Sequence, residues 1–209
     1  MTSLEIMERA RVVPVIRTGS EATARRAVDV LARGGFSIFE LTMTTPGAIS
    51  IVADLAGDAD RLVGAGTVMT AAEAEDCIDA GARFIVSPAV RREVADVCRA
   101  RRVEVFLGAA TPTEVATAHE LGAAAVKLFP AAQLGGPGFV RAVKSVFPGI
   151  ALMPTGGIGT GDIAAYLDAG AVCVGMGGRL VDERALVAGD DAAILAAARD
   201  VRAVLEDRA

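Results

Sequence analysis

The sequence predicts an α/β protein, a single (β/α)8 TIM barrel over residues 1–209, and three observations carry that prediction. Short apolar runs rich in β-branched residues alternate strictly with longer amphipathic stretches, the pattern of a parallel sheet covered by helices. Four helical stretches close on similar signatures, "ARGGF", "DAGAR", "ELGAA" and "DAGAV", each directly ahead of a strand. A glycine in that position supplies the left-handed residue that ends a helix. No Pro-, Gly- or Ser-rich linker or shift in composition divides the chain. An open doubly wound sheet is the competing arrangement, and it usually has fewer strands at this length.

Taken in order, the first candidate strand is "VVPVI" (12–16), followed by the helical stretch "SEATARRAVDVLARGG" with Ser20 as its expected N-cap. The second, "IFELT" (38–42), alternates so that Ile38, Glu40 and Thr42 share one face and Phe39 and Leu41 the other. "LVGAGT" (62–67) leads into "TAAEAEDCIDAGA", capped by Thr70, and "FIVSP" (84–88) leads into "RREVADVCRARR". That basic run interleaves apolar residues at helical spacing and reads as a solvated helix face rather than a phosphate-backbone site. "VEVFLGA" (103–109) precedes "TPTEVATAHELG", with Thr111 as cap, and "AAVKLFP" (124–130) is the sixth strand. "ALMPTGG" (151–157) and "VCVGMG" (172–177) complete the set, with Thr160 as the expected cap between them. The stretch "DAAILAAARDVRAVLEDRA" reads as a C-terminal helix packing on the barrel.

Composition removes several classes of function. Hydrophobic residues make up 53% of the 209, enough for a large core, and the formal net charge of -5 argues against a nucleic-acid partner. The opening "MTSLEIMERARVVPVI" lacks the features of a signal peptide, and no apolar run is long enough to span a bilayer, so a cytoplasmic protein is expected. Cys77, Cys98 and Cys173 have neither metal-ligand spacing nor an even count, and His119 is the only histidine. Reduced thiols, an ordinary helical histidine, no metal and no cofactor are the expectation.

Barrels of this kind carry their active groups at the carboxyl ends of the strands and in the loops that follow. Those positions hold three ionisable residues, Arg17, Glu40 and Lys127. Desolvation and a nearby like charge both favour the neutral form of an amine, and the neutral amine is the nucleophile that attacks a ketone. An edge-strand or snorkelling lysine is the plainer reading of Lys127. With Phe39 and Leu41 against helices, Glu40 faces the barrel axis, where a carboxylate needs a partner or a task. Lys127 itself is one candidate partner, in a purely structural ion pair. Arg17 suits a two-pronged grip on a carboxylate, with a surface arginine as the alternative, and Thr67 can donate its hydroxyl to the same group. Two glycine-rich turns, "PTGGIGTGD" and "GMGGRL", follow the last two strands, where backbone N–H groups of Gly156, Gly157, Gly177 and Gly178 can approach a phosphate.

The ordered set "VVPVIR", "FELTMTTPGA", "VGAGTV", "IVSPAV", "VKLFPA" and "PTGGI" resembles the 2-keto-3-deoxy-6-phosphogluconate (KDPG)/4-hydroxy-2-oxoglutarate (KHG) aldolases, from about Met7 to beyond Asp190. The resemblance implies a metal-independent class I aldolase in which Lys127 forms the Schiff base and Glu40 is the general acid/base. It implies a carboxylate contact from Thr67, a substrate contact from Pro88 and phosphate contacts from Gly156, Gly157 and Gly178; Phe129, Gly177 and Thr44 are further candidate substrate-binding residues. It also implies a phosphorylated keto-acid substrate and a homotrimer. Two departures stand out. Many members carry an arginine where this chain has Thr44, and others carry one at the end of the first strand, where this chain has Arg17. Many members have a serine where Gly178 stands. The 6-phosphogalactonate aldolases and, on the same barrel, phosphosugar isomerases or epimerases are the rival activities, and a non-catalytic metabolite sensor is a third.

Overall fold

The computed structural model describes residues 1–206. Seven parallel strands form one curled sheet: β1 (Val12–Ile16), β2 (Ile38–Thr42), β3 (Leu62–Gly66), β4 (Phe84–Val86), β5 (Glu104–Ala109), β6 (Ala125–Leu128) and β7 (Val174–Met176). Their order across the sheet is β6-β5-β4-β3-β2-β1-β7, so consecutive strands are neighbours except where β7 returns to pair with β1. The helices are α1 (Ser3–Ala10), α2 (Glu21–Arg33), α3 (Ala48–Ala56), α4 (Ala71–Asp79) and α5 (Arg92–Arg101), then α6 (Pro112–Glu120), α7 (Gly136–Val146), α8 (Ile163–Asp168), α9 (Glu183–Ala188) and α10 (Asp191–Glu206). The last three residues of the predicted C-terminal helix, 207–209, lie outside the described residues.

The sequence predicts an eighth strand at 151–157, and the structure has none there. Instead the segment makes two isolated bridges, Val126↔Leu152 and Thr155↔Gly175. Its backbone bonds reach both edge strands: Met153 N–H donates to the Val126 carbonyl at 2.8 Å, and Gly175 N–H donates to the Pro154 carbonyl at 2.9 Å. Pro154 has no N–H to continue a ladder, and Gly156 and Gly157 turn the chain away with φ of 101° and 76°.

Two apolar layers hold the sheet. Phe39, Leu41, Val63, Ile85, Leu107 and Leu128 pack outward against the helices. Val13, Ile38, Leu62, Phe84, Phe106 and Met153 point inward at the amino ends of the strands, where Met7 of α1 caps them. Phe84 and Phe106 meet edge-on there, centroids 5.9 Å apart, a geometry worth about 0.5–1.5 kcal/mol beyond the area it buries. The α1 helix is tied across this end by Ser3, whose hydroxyl donates to the Arg83 carbonyl, and by Leu4 N–H, which donates to Glu104 Oε2. One end of the sheet is thus plugged with hydrocarbon, and polar residues collect at the other.

Four helix ends share one geometry. Gly35, Gly81, Gly122 and Gly170 all have positive φ. In each case the next residue's N–H returns to the carbonyl five positions back: Phe36 to Leu31, Ala82 to Cys77, Ala123 to Ala118 and Ala171 to Tyr166. This double-bonded cap turns the chain from α2, α4, α6 and α8 toward the next extended segment. Ser20, Thr70 and Thr111 cap their helices as the sequence predicts. Thr160 does not: it is the first residue of a short 3-10 turn, and Gly159 precedes it in extended conformation.

Candidate active site

Glu40 and Lys127 face each other from β2 and β6, with Nζ 3.1 Å from Oε1. Glu40 is fully buried and Lys127 is 4% exposed. The alternation of β2 turns Glu40 inward because Phe39 and Leu41 occupy the helix-facing side. Two glycines, on β3 and β5, leave room at this level, one for Glu40 and one for the Pro88 backbone. A Cβ at Gly66 would sit 2.1 Å from Glu40 Oε1, and one at Gly108, opposite Lys127 on β5, would sit 2.0 Å from the Pro88 carbonyl oxygen. Nζ also lies 5.8 Å from the centre of the Phe129 ring. Among the described residues Glu40 Oε2 has no hydrogen-bond donor although it is buried. A buried carboxylate oxygen left without a donor costs stability. The second carboxylate oxygen thus stands beside a buried amine without a protein donor of its own.

Arg17 extends from the end of β1 and donates through Nη2 to Thr67 Oγ1 at 3.2 Å. Thr67 adopts φ +62°, a left-handed conformation that a β-branched residue rarely takes. That turn ends β3 and aims the hydroxyl at Arg17. Arg17, Lys127, Phe129, Gly156 and Gly157 line one wall of a cleft of about 550 Å³, and Gly177 and Gly178 line it as well. Thr44 is exposed and outside this lining; its hydroxyl bonds to Thr42, which also bonds to Thr45. Pro88 is half-buried, with its carbonyl against Gly108, and it does not line the cleft.

Sequence reasoning passed over four charged residues on the cleft: Arg179, Asp182, Glu183 and Arg184. The two carboxylates are held by backbone. Asp182 caps α9 by accepting from Arg184 and Ala185 N–H, and Glu183 accepts from Gly19 N–H. The signal was present in "GGRLVDER", where two arginines follow the second glycine turn, but nothing local distinguishes them from surface arginines.

Other candidates fall elsewhere. His119 is exposed on α6. All three cysteines are free and buried, and burial pushes each thiol up to about 12. The basic run forms α5, where Arg101 pairs with Asp79 and Glu75 and Arg99 pairs with Asp96. Among the described residues no cluster of three or more His, Cys, Asp or Glu could hold a metal, and no helix is long and apolar enough to cross a membrane.

A buried amine paired with a carboxylate, at the polar end of a curled parallel sheet and beside a glycine-lined cleft, is the equipment of a carbon–carbon lyase that works through an imine. The chain belongs to the KDPG and KHG aldolase family, whose sequence profile matches residues 4–197. It is 35% identical over 191 residues to the 2-dehydro-3-deoxy-phosphogluconate aldolase of Treponema pallidum, covering 91% of each chain. It is 34% identical to the 2-dehydro-3-deoxy-6-phosphogalactonate aldolase of Escherichia coli, over 78% of this chain and 80% of that one. Among solved structures it resembles the KDPG aldolase of Legionella pneumophila with pyruvate captured as a covalent carbinolamine. The TM-score is 0.87 at 33% identity, over 96% of this chain and 98% of that one.

Proposed function

We propose that this chain cleaves 2-dehydro-3-deoxy-6-phosphogluconate to pyruvate and glyceraldehyde 3-phosphate through a Schiff base at Lys127. The observation that carries the reading is the Lys127–Glu40 contact, with one carboxylate oxygen on the amine and the other free. Arg17 and Thr67 hold the keto-acid carboxylate, which presents C2 to Nζ. Lys127 transfers a proton to Glu40 and attacks C2, forming a carbinolamine. Glu40 returns the proton to the departing hydroxyl, water leaves, and the iminium forms. Glu40, or a water on its free oxygen, then takes the C4 hydroxyl proton. The C3–C4 bond breaks, its electron pair enters the iminium as an enamine, and the aldehyde departs. Protonation at C3 and hydrolysis release pyruvate and restore the amine.

Backbone N–H groups of Gly156, Gly157, Gly177 and Gly178 bind the phosphate. Pro88 and Phe129 bound the space around the imine, and Thr44 leaves the carboxylate grip to Arg17. The segment 151–155 serves as the eighth stave of a closed (β/α)8 barrel of one domain, a reading supported by its bonds to both β6 and β7. The resemblance to the family suggests a homotrimer, and the sequence's lack of signal-peptide features suggests the cytoplasm. The similarity to a galactonate aldolase makes the C4 epimer the second substrate to assay, and 4-hydroxy-2-oxoglutarate the third.

The test is borohydride reduction in the presence of pyruvate, followed by peptide mass spectrometry. A pyruvate-derived adduct on the peptide carrying Lys127 is expected. No adduct in the folded protein would overturn the imine reading and leave the isomerase, epimerase and sensor readings.

A further inference from the structure

We propose that Arg179 grips the phosphate of the substrate and sets the preference of this enzyme for phosphorylated over unphosphorylated keto acids. The inference rests on the aldolase reading above for the identity of the substrate, and on its own observations for the residue.

The second glycine turn is bare. Gly178 is exposed, and a Cβ built there meets nothing within 4 Å, so that position offers only its backbone N–H. The next side chain is Arg179, which lines the catalytic cleft and also an adjoining one of about 610 Å³ that reaches Ala193, Ile194 and Ala197 of α10. Arg179 is exposed at the cleft, and among the described residues its guanidinium makes no hydrogen bond or ion pair. The two acidic neighbours do not claim it, because Asp182 and Glu183 are turned onto backbone N–H groups.

Five N–H donors therefore stand uncommitted at the wall that the glycine turns share. A guanidinium binds a phosphate through two parallel charge-assisted bonds, stronger than the single neutral bond a hydroxyl would give. Arg17, by contrast, is tied to Thr67 at another point of the cleft wall. The two arginines thus divide the substrate: Arg17 takes the carboxylate end and Arg179 the phosphate end. Arg184 also lines the cleft with an unpaired guanidinium among the described residues. It touches only the first cleft and stands on α9 rather than on the glycine turn, so it is the internal comparison.

The experiment compares kcat/KM of the full chain and its Arg179→Ala, Arg179→Lys and Arg184→Ala variants. The substrates are 2-keto-3-deoxy-6-phosphogluconate and its unphosphorylated counterpart, and binding of inorganic phosphate is measured by calorimetry. Arg179→Ala is expected to lower kcat/KM on the phosphorylated substrate about 10- to 100-fold, the factor for losing charged hydrogen bonds. The unphosphorylated substrate should stay within about threefold. Arg179→Lys should recover part of the loss, and phosphate binding should weaken in parallel with Arg179→Ala. An equal loss on both substrates, no loss at all, or a larger phosphate-specific loss in Arg184→Ala would each overturn the assignment. Borohydride trapping with pyruvate, which carries no phosphate, separates the two layers. A wild-type chain that traps no pyruvate sinks the aldolase reading, and phosphate calorimetry still decides the fate of Arg179.

Discussion

Gly66→Ala places the catalytic proposal under a small and well-defined stress. The added methyl carbon would lie 2.1 Å from Glu40 Oε1 and 2.7 Å from both Cγ and Cδ of the same side chain. Ordinary packing needs more than 3.0 Å, so the carboxylate must retreat by about 1 Å, or the strand must move by as much. Glu40 is fully buried, which leaves the carboxylate no solvent to retreat into. The 3.1 Å contact with Lys127 then loses its geometry. A displacement of about 1 Å can cost ~100-fold in rate, and losing a general acid/base costs roughly 100- to 10,000-fold. We expect kcat to fall about 100-fold or more, with a stability loss of about 1–3 kcal/mol from overpacking. The assay couples pyruvate release to NADH oxidation by lactate dehydrogenase, with urea unfolding on the same sample. Gly57→Ala is the control, since a Cβ there meets nothing within 4 Å and the site is remote. A folded Gly66→Ala enzyme with kcat within about threefold of wild type would refute the claim that the position of Glu40 limits the reaction.

Further outcomes follow from the same geometry. Lys127→Met should abolish trapping and turnover and cost about 3 kcal/mol in urea unfolding, because Glu40 stays buried without its partner; Lys127→Met/Glu40→Met should regain most of that stability but no activity. Retained stability loss in the double variant would point to the pair as a structural strut. Gly178→Ser fits without a clash and should raise kcat/KM on the phosphorylated substrate about 2- to 10-fold through one added hydrogen bond, leaving the unphosphorylated substrate unchanged. Cys77, Cys98 and Cys173 have folded-state thiols raised to about 12 from 9.0. The unfolded chain therefore releases these protons first as pH rises, so stability should decline above about pH 9, and thiol reagents should label the protein at pH 8 only after denaturation. Stability that rises through pH 9–10, or rapid labelling of the native protein, would contradict this burial.

Local rules carry far in this chain. The four glycine caps were readable because a helix end followed by a strand needs a left-handed residue whatever surrounds it, and the inward aim of Glu40 follows from a period of two. The segment 151–157 pairs only through isolated bridges: an apolar run beside Pro154 promises extension, whereas forming a ladder also needs a donor at each alternate position. Thr160 failed as a cap because Gly159 starts the turn one residue earlier. The dependence of Glu40 on Gly66, and of the Pro88 backbone on Gly108, lies between strands. Only register reveals it. Arg179 stayed hidden for a simpler reason: an arginine after a glycine turn looks the same in sequence whether it faces a cleft or bulk water.

The two partners at the centre of the sheet stand 87 residues apart in the chain. Neither β2 with its early neighbours nor β6 with its late ones can build the site alone. A partly folded molecule therefore carries Lys127 apart from the carboxylate that would serve it. The proposed nucleophile meets its carboxylate only once β2 and β6 are both in place in the curled sheet. Recovery of activity after dilution from denaturant therefore requires this long-range contact and not helix formation alone. The arrangement also confines the chemistry to finished molecules: a chain stalled midway through synthesis exposes a lysine, not a catalyst.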